Sequence, residues 1–199
     1  MINTPPTPID VSNGMSLDDF LRLSHEQPFE IVNGRRIDKM ASGQLHSEVI
    51  QKIFILLYLY ITQLKLGRLY QETTFVLPEK RGSKWVTGSR LPDIMFYAGS
   101  HISDYFREHS DWQLKPFLIV PDLAIEILSP NDTFSLMDEK VSYDLANGVK
   151  VVWFIDPTRR KAWVYTPDGD SPVVFGAEGI LTEETLLPNF KLELAKIWM

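Results

Sequence analysis

Cysteine is absent from the chain, which excludes disulfides, thiolate zinc sites and cysteine nucleophiles and leaves no sign of an oxidising compartment. An excess of positive charge is missing too: 20 Lys and Arg stand against 26 Asp and Glu, a formal net charge of −6. Proteins held on nucleic acid by charge alone are basic over the whole domain, so any phosphate contact here has to run through a local strip. Long apolar runs are also lacking. The most apolar stretch, 53–61, is bordered by Gln51, Lys52 and Gln63 and reads as too short to cross a bilayer. The start, Met1-Ile2-Asn3-Thr4-Pro5-Pro6-Thr7-Pro8, has neither the basic nor the apolar region of a signal peptide. Residues 1–15 are therefore expected as a disordered lead-in and the cytoplasm as the location. There are no internal repeats, no heptads and no composition break. Residues 16–199 are accordingly expected as one domain, with the 44% hydrophobic fraction of an ordinary globular core.

What is present is an alternation of helical and strand-like segments. Ser16 is a candidate N-cap for a short helix with Asp18 and Asp19 in its first turn. Residues 29–40 read as a hairpin about Asn33-Gly34, a pair suited to a type I′ turn. Over 45–66 apolar residues recur at helical spacing, and Gly67 is the expected stop. Strands are expected over 68–77, 91–97 and 121–128. A helix over 134–147 follows, capped by Asp132 or Thr133 and closed by Gly148, and then a buried strand over 151–155. Asp156-Pro157-Thr158-Arg159 turns it towards an antiparallel neighbour at 162–165, and further short strands are expected from Val173 on. Residues 78–88 and 99–117 read as loops.

Three residues in this order carry chemistry. Asp93 and Glu126 each put one carboxylate in an apolar, strand-like run, where burial is costly unless the charge is paired or binds a metal. On adjacent strands they would supply oxygen ligands to Mg²⁺, with the Ile127 carbonyl as a third and Mn²⁺ as a substitute cation. Lys140, beside the Met137, Val141 and Leu145 stripe of its helix, would reach the strand ends and stabilise a phosphoryl transition state. The plainer readings are a turn-capping Asp93 and a solvated Lys140 paired with Asp144. Two basic strips are local enough to matter. One is Lys80, Arg81 and Lys84 with Trp85 and Arg90, suited to a phosphate backbone and a stacked base or else a solvated loop. The other is Arg159-Arg160-Lys161.

Pro92-Asp93, then Glu126-Ile127-Leu128, within an αβββαβ order resembles the PD-(D/E)xK nuclease superfamily. More closely, the chain resembles the bacterial Uma-two family of restriction-endonuclease-like proteins, from Ser16 to the C-terminus. The resemblance rests on an ordered set: Phe29-Glu30-Ile31-Val32-Asn33-Gly34, His46, Pro92-Asp93, Leu123-Ala124-Ile125-Glu126-Ile127-Leu128-Ser129-Pro130, Lys140, Tyr143, Gly148-Val149 and Trp153-Phe154-Ile155-Asp156-Pro157. One departure stands out: Leu128 occupies the place of the superfamily lysine, and Lys140 on the following helix is the matching candidate.

The resemblance implies an α/β fold with a restriction-endonuclease-like core, a mixed central sheet flanked by helices, an added N-terminal hairpin and C-terminal strands. It implies metal-dependent hydrolysis of DNA phosphodiester bonds by Asp93, Glu126 and Lys140, in a protein that acts as a homodimer off the membrane. Glu30 is either a further metal or water ligand or a solvent-facing strand residue. His46 is either a general base or phosphate contact, or a capping or packing histidine. Three rivals accompany this reading: an inert nuclease-fold protein that serves as a nucleic-acid-binding or assembly module, a two-carboxylate glycosidase, and a nuclease for RNA or branched DNA.

Overall fold

The computed structural model describes residues 9–80, 83–129 and 132–198. The chain gathers into two compact units: Met1–Ala41, Thr74–Leu91 and Lys115–Val120 form the first, and Ser42–Thr73, Pro92–Leu114 and Pro121–Met199 form the second.

The first unit is a six-stranded sheet in the order Ile9–Asp10, Arg35–Asp38, Phe29–Val32, Trp85–Arg90 and Met15–Ser16, with Phe75–Pro78 also paired to Trp85–Arg90. The expected hairpin is present. Val32 pairs with Arg35, and Asn33 and Gly34 take the positive φ angles of 49° and 74° that a type I′ turn needs. Ser16 caps the Leu17–Glu26 helix by accepting the Asp19 N–H at 3.1 Å, as its position before two acids suggests. Leu17 and Phe20 of that helix pack with Phe29, Ile31, Val76 and Val86 of the sheet. The sheet begins inside the stretch read as a disordered lead-in, because Ile9 pairs with Arg36 and Met15 with Val86. Such two-residue pairings rest on backbone hydrogen bonds and leave no side-chain periodicity to read. Residues 1–8 lie outside the described residues.

The second unit carries the αβββαβ order: the Gln44–Leu64 helix, strands Gly67–Gln71, Ile94–Ala98 and Leu123–Ile127, the Phe134–Ala146 helix and strand Val151–Asp156. Its sheet runs Val173–Phe175, Lys161–Tyr165, Val151–Asp156, Leu123–Ile127, Ile94–Ala98, Gly67–Gln71. Leu123–Ile127 and Val151–Asp156 are parallel and the other neighbours antiparallel, so the sheet is mixed. Val49, Ile53, Leu57 and Ile61 of the long helix pack against Ile94, Phe96, Ile125, Ile127, Trp153 and Ile155. Side chains alternate along strands, so Ala124, Glu126 and Phe154 leave by the other face. The Phe134–Ala146 helix covers that face, its Phe134 ring meeting Phe154. The C-terminal pair Ile180–Glu183 and Leu187–Glu193 adds Leu181, Leu187 and Leu192 to the core.

Several local readings change. The strand expected over 68–77 is two strands, Gly67–Gln71 and Phe75–Pro78, broken where Glu72 adopts a φ of 45°. The long helix ends at Lys65, which takes the left-handed conformation (φ 54°) expected of Gly67. Gly67 serves close approach instead: a Cβ there would collide with the Tyr97 carbonyl oxygen of the neighbouring strand. Strand Trp85–Arg90 and helix Gly99–Glu108 occupy parts of the two stretches read as loops. At 21 residues, Gln44–Leu64 is long and apolar enough to cross a membrane, although its 53–61 segment alone is not; its Val49, Ile53, Leu57 and Ile61 stripe is core.

Candidate active site

Asp93 stands one residue before the Ile94–Ala98 strand, after Pro92, and its position is set by strand register. Ile94 pairs with Ile125, and continuing that antiparallel register by one residue places Asp93 across from Glu126. The Asp93 Oδ2 accepts the Ile127 N–H at 2.7 Å, which ties the start of one strand to the end of the other. His46, in the first turn of the Gln44–Leu64 helix, brings its Nε2 to 3.3 Å from the same oxygen, and both side chains are nearly excluded from water. The sequence left His46 open between a reacting group and a packing one. The structure sets its imidazole against the Asp93 carboxylate.

Glu126 is 2% exposed within Leu123–Ile127, a strand buried along its whole length. Such a carboxylate must be compensated, and the covering helix brings a cation into the same layer. Met137, Lys140, Val141 and Asp144 are the buried residues of that helix, spaced i, i+3, i+4 and i+7 on one face. Lys140 is 4% exposed, so it lies between helix and sheet and is not a solvated lysine. Thr133 rather than Asp132 caps this helix, accepting the Leu136 N–H at 3.2 Å, and Gly148 closes it with a φ of 103°. Asp144, expected as a surface partner of Lys140, is fully buried one turn beyond it; the 3.6-residue period is the signal for its burial.

The oxygen donors at this point are the Asp93 and Glu126 carboxylates and the main chain at Ile127. Among the described residues no group of three or more His, Asp or Glu forms a ready-made metal cage. A magnesium site needs fewer protein ligands, since water and phosphate complete its octahedron. A carboxylate offers about four lone-pair sites, so one that accepts the Ile127 N–H can coordinate a cation as well. The donor set therefore suits a small, hard ion.

Glu30 lies in the first unit, fully buried, and its Oε1 is engaged by the Arg90 guanidinium and by the Leu91 N–H at 2.9 Å. This corrects two expectations. Arg90 is a buried ion-pair partner, not part of an exposed basic strip, and Glu30 is not a solvent-facing strand residue. Lys80 and Lys84 are exposed, while Arg81 lies outside the described residues. Trp85 is half-exposed, its Nε1 donating to the Asn13 carbonyl at 2.7 Å. Asp156 is the turn residue expected of it, accepting the Arg159 N–H at 2.9 Å.

A second polar cluster stands at the other end of the Leu123–Ile127 strand. Asp122, 1% exposed, accepts the Ala98 N–H at 2.8 Å, meets His101 Nδ1 at 3.0 Å and pairs with Lys150 Nζ at 2.7 Å. Burial alone would raise its pKa, but these hydrogen bonds outweigh it and hold the carboxyl down at about 2. It fastens the start of the Gly99–Glu108 helix to two strands. Neither His101 nor Lys150 belongs to a sequence pattern, so this cluster has no signal in the sequence.

Comparison with known proteins adds to this geometry. No curated protein matches the chain. A crystal structure of a putative nuclease belonging to DUF820 from Anabaena variabilis ATCC 29413 is similar at a TM-score of 0.75 and 23% identity, over 92% of this chain and 97% of that one. That likeness establishes the fold, a mixed α/β protein with a restriction-endonuclease-like core. The model of the Uma2 family, described as putative restriction endonuclease, matches residues 17–195. With a match spanning nearly the whole chain, the protein belongs to the Uma2 family.

Proposed function

We propose that the protein is a metal-dependent endonuclease that hydrolyses DNA phosphodiester bonds at Asp93, Glu126 and Lys140. The burial of Lys140 in the layer that holds Glu126 carries this reading, because a lysine kept there only for solubility would face water. Asp93, Glu126 and the Ile127 carbonyl would hold Mg²⁺, with Mn²⁺ as a substitute; when bound, the ion polarises the phosphoryl oxygen and acidifies water. The chain's own residues do the rest. His46 and the Ile127 N–H fix the Asp93 carboxylate, so that it need not reorganise during reaction. Lys140 offsets the charge that grows on the phosphoryl oxygens as water attacks and the bond to the leaving oxygen breaks. Two copies about a twofold axis would present one site to each strand of a duplex.

The test is cleavage of supercoiled, linear, single-stranded and branched DNA with Mg²⁺ or Mn²⁺, beside Glu126→Gln and an EDTA control. Metal-dependent cutting that the substitution abolishes is the expected result. Absence of cutting, with no metal binding by calorimetry, would overturn it. One reading competes: a nuclease-fold protein that binds nucleic acid without cutting it. Leu128 in the usual lysine position and the net charge of −6 favour that alternative.

A further inference from the structure

Glu126 has an aromatic neighbour. Phe154 is its register partner on the adjacent parallel strand, so the two side chains leave the sheet by one face at about one strand spacing, roughly 5 Å. Trp163 is the partner of Phe154 on the next strand, and their rings stack at 5.2 Å between centroids. Phe134, first residue of the covering helix, meets Phe154 and Trp163 edge-on at 5.5 and 5.4 Å. Phe154 is buried, but Phe134 is 46% exposed and Trp163 only half-buried. From buried Phe154 the aromatic surface continues outward through Phe134 and Trp163 into water. Isolated exposed rings are common, whereas three in mutual contact beside a buried carboxylate form a preassembled aromatic corner, with Phe134 standing edge-on to the stacked Phe154 and Trp163 rings.

We propose that Phe134 and Trp163 form a stacking wall for the base beside the scissile phosphate, and that the preferred substrate carries an unpaired base there. This rests on the nuclease reading above. In a duplex every base is stacked between its neighbours and cannot lie on a protein ring, whereas an unpaired base can. The charge of the chain agrees. With a net charge of −6, whole-domain attraction to phosphates is weak, and stacking supplies affinity that does not depend on charge. The wall thus selects single-stranded, flapped or mismatched DNA over a perfect duplex.

The experiment measures affinity by fluorescence anisotropy on the full chain carrying Glu126→Gln. The probes are a short perfect duplex, the same duplex with one unpaired thymine, and the single strand. Unpaired thymine is expected to bind about tenfold or more tightly than the perfect duplex. Phe134→Leu, which keeps an apolar contact with Phe154, should erase that preference, and Phe134→Tyr, which keeps the ring, should retain it. Equal affinity for all probes would overturn the proposal, as would a preference that Phe134→Leu leaves intact at an unchanged melting temperature. Should Phe134→Leu melt early, quenching of indole emission by a thymine oligonucleotide decides instead: loss of quenching in Trp163→Phe supports the wall, and unchanged quenching overturns it. The two readings fail separately. Wild-type cleavage without the preference removes the wall alone, while the preference without any cleavage removes the nuclease and leaves the wall.

Discussion

The Asp93 carboxylate and the Ile127 N–H are joined at 2.7 Å, so one candidate metal ligand is fixed by the main chain of the residue after the other, Glu126. The same bond gives Asp93 a structural role beside the catalytic one proposed for it. Asp93→Ala would strand a buried N–H and is expected to cost about 1–3 kcal/mol in urea denaturation, whereas Asp93→Asn retains an acceptor and loses less. Both should abolish cleavage. Equal stability of the two variants would show that the bond contributes nothing to the fold.

Lys140 allows charge and fold to be separated. Lys140→Met keeps an apolar stem of similar length in the buried layer and removes the ammonium, so cleavage should fall by about 10²-fold or more. DNA affinity should change by much less, since the role proposed for the group is to act on charge that grows only during reaction. Single-turnover rates beside equilibrium binding check this, and a loss confined to binding would contradict it.

The Glu30–Arg90 pair is buried on both sides, so removing one partner should be worse than removing both. Arg90→Met alone is expected to cost about 3–5 kcal/mol, and adding Glu30→Leu should recover much of it. Chemical denaturation of the four members of this double-mutant cycle measures the recovery. Additive losses would mean that the two charges are not coupled.

Asp122 links stability to acid. Its folded pKa of about 2 lies below the ordinary value of 3.8, so its contribution is fully present above about pH 4 and is lost as pH falls towards 2. The gap corresponds to about 1–2 kcal/mol once the exposure of Lys150 and His101 is allowed for. Melting curves between pH 2 and 5 on wild type and Asp122→Asn should converge at the acid end, and parallel curves would refute the linkage.

Gly67→Ala should destabilise the second unit by more than the usual cost of a strand substitution, because the methyl group would meet the Tyr97 carbonyl oxygen. A drop in melting temperature of several degrees is the expected result. A neutral substitution would show that the Gly67–Gln71 strand can draw back from its neighbour.

Much of this protein was determined locally. Asn33-Gly34 set its hairpin, Ser16 and Thr133 their helix caps, and the apolar spacing of Val49, Ile53, Leu57 and Ile61 set the long helix, because turn, cap and period depend on residues a few positions apart. Asp93 and Glu126 stood out for the same reason, as charges in apolar patterns, whereas Lys140 was marked by the family resemblance. Pairing between distant segments was decided only by the tertiary structure. Glu30 met Arg90, His46 met Asp93, and Asp122 drew in His101 and Lys150, all across separations that carry no periodic signal. The break at Glu72 and the crowding of Gly67 against Tyr97 were equally hidden, since strand register exists only once the partner strand is in place.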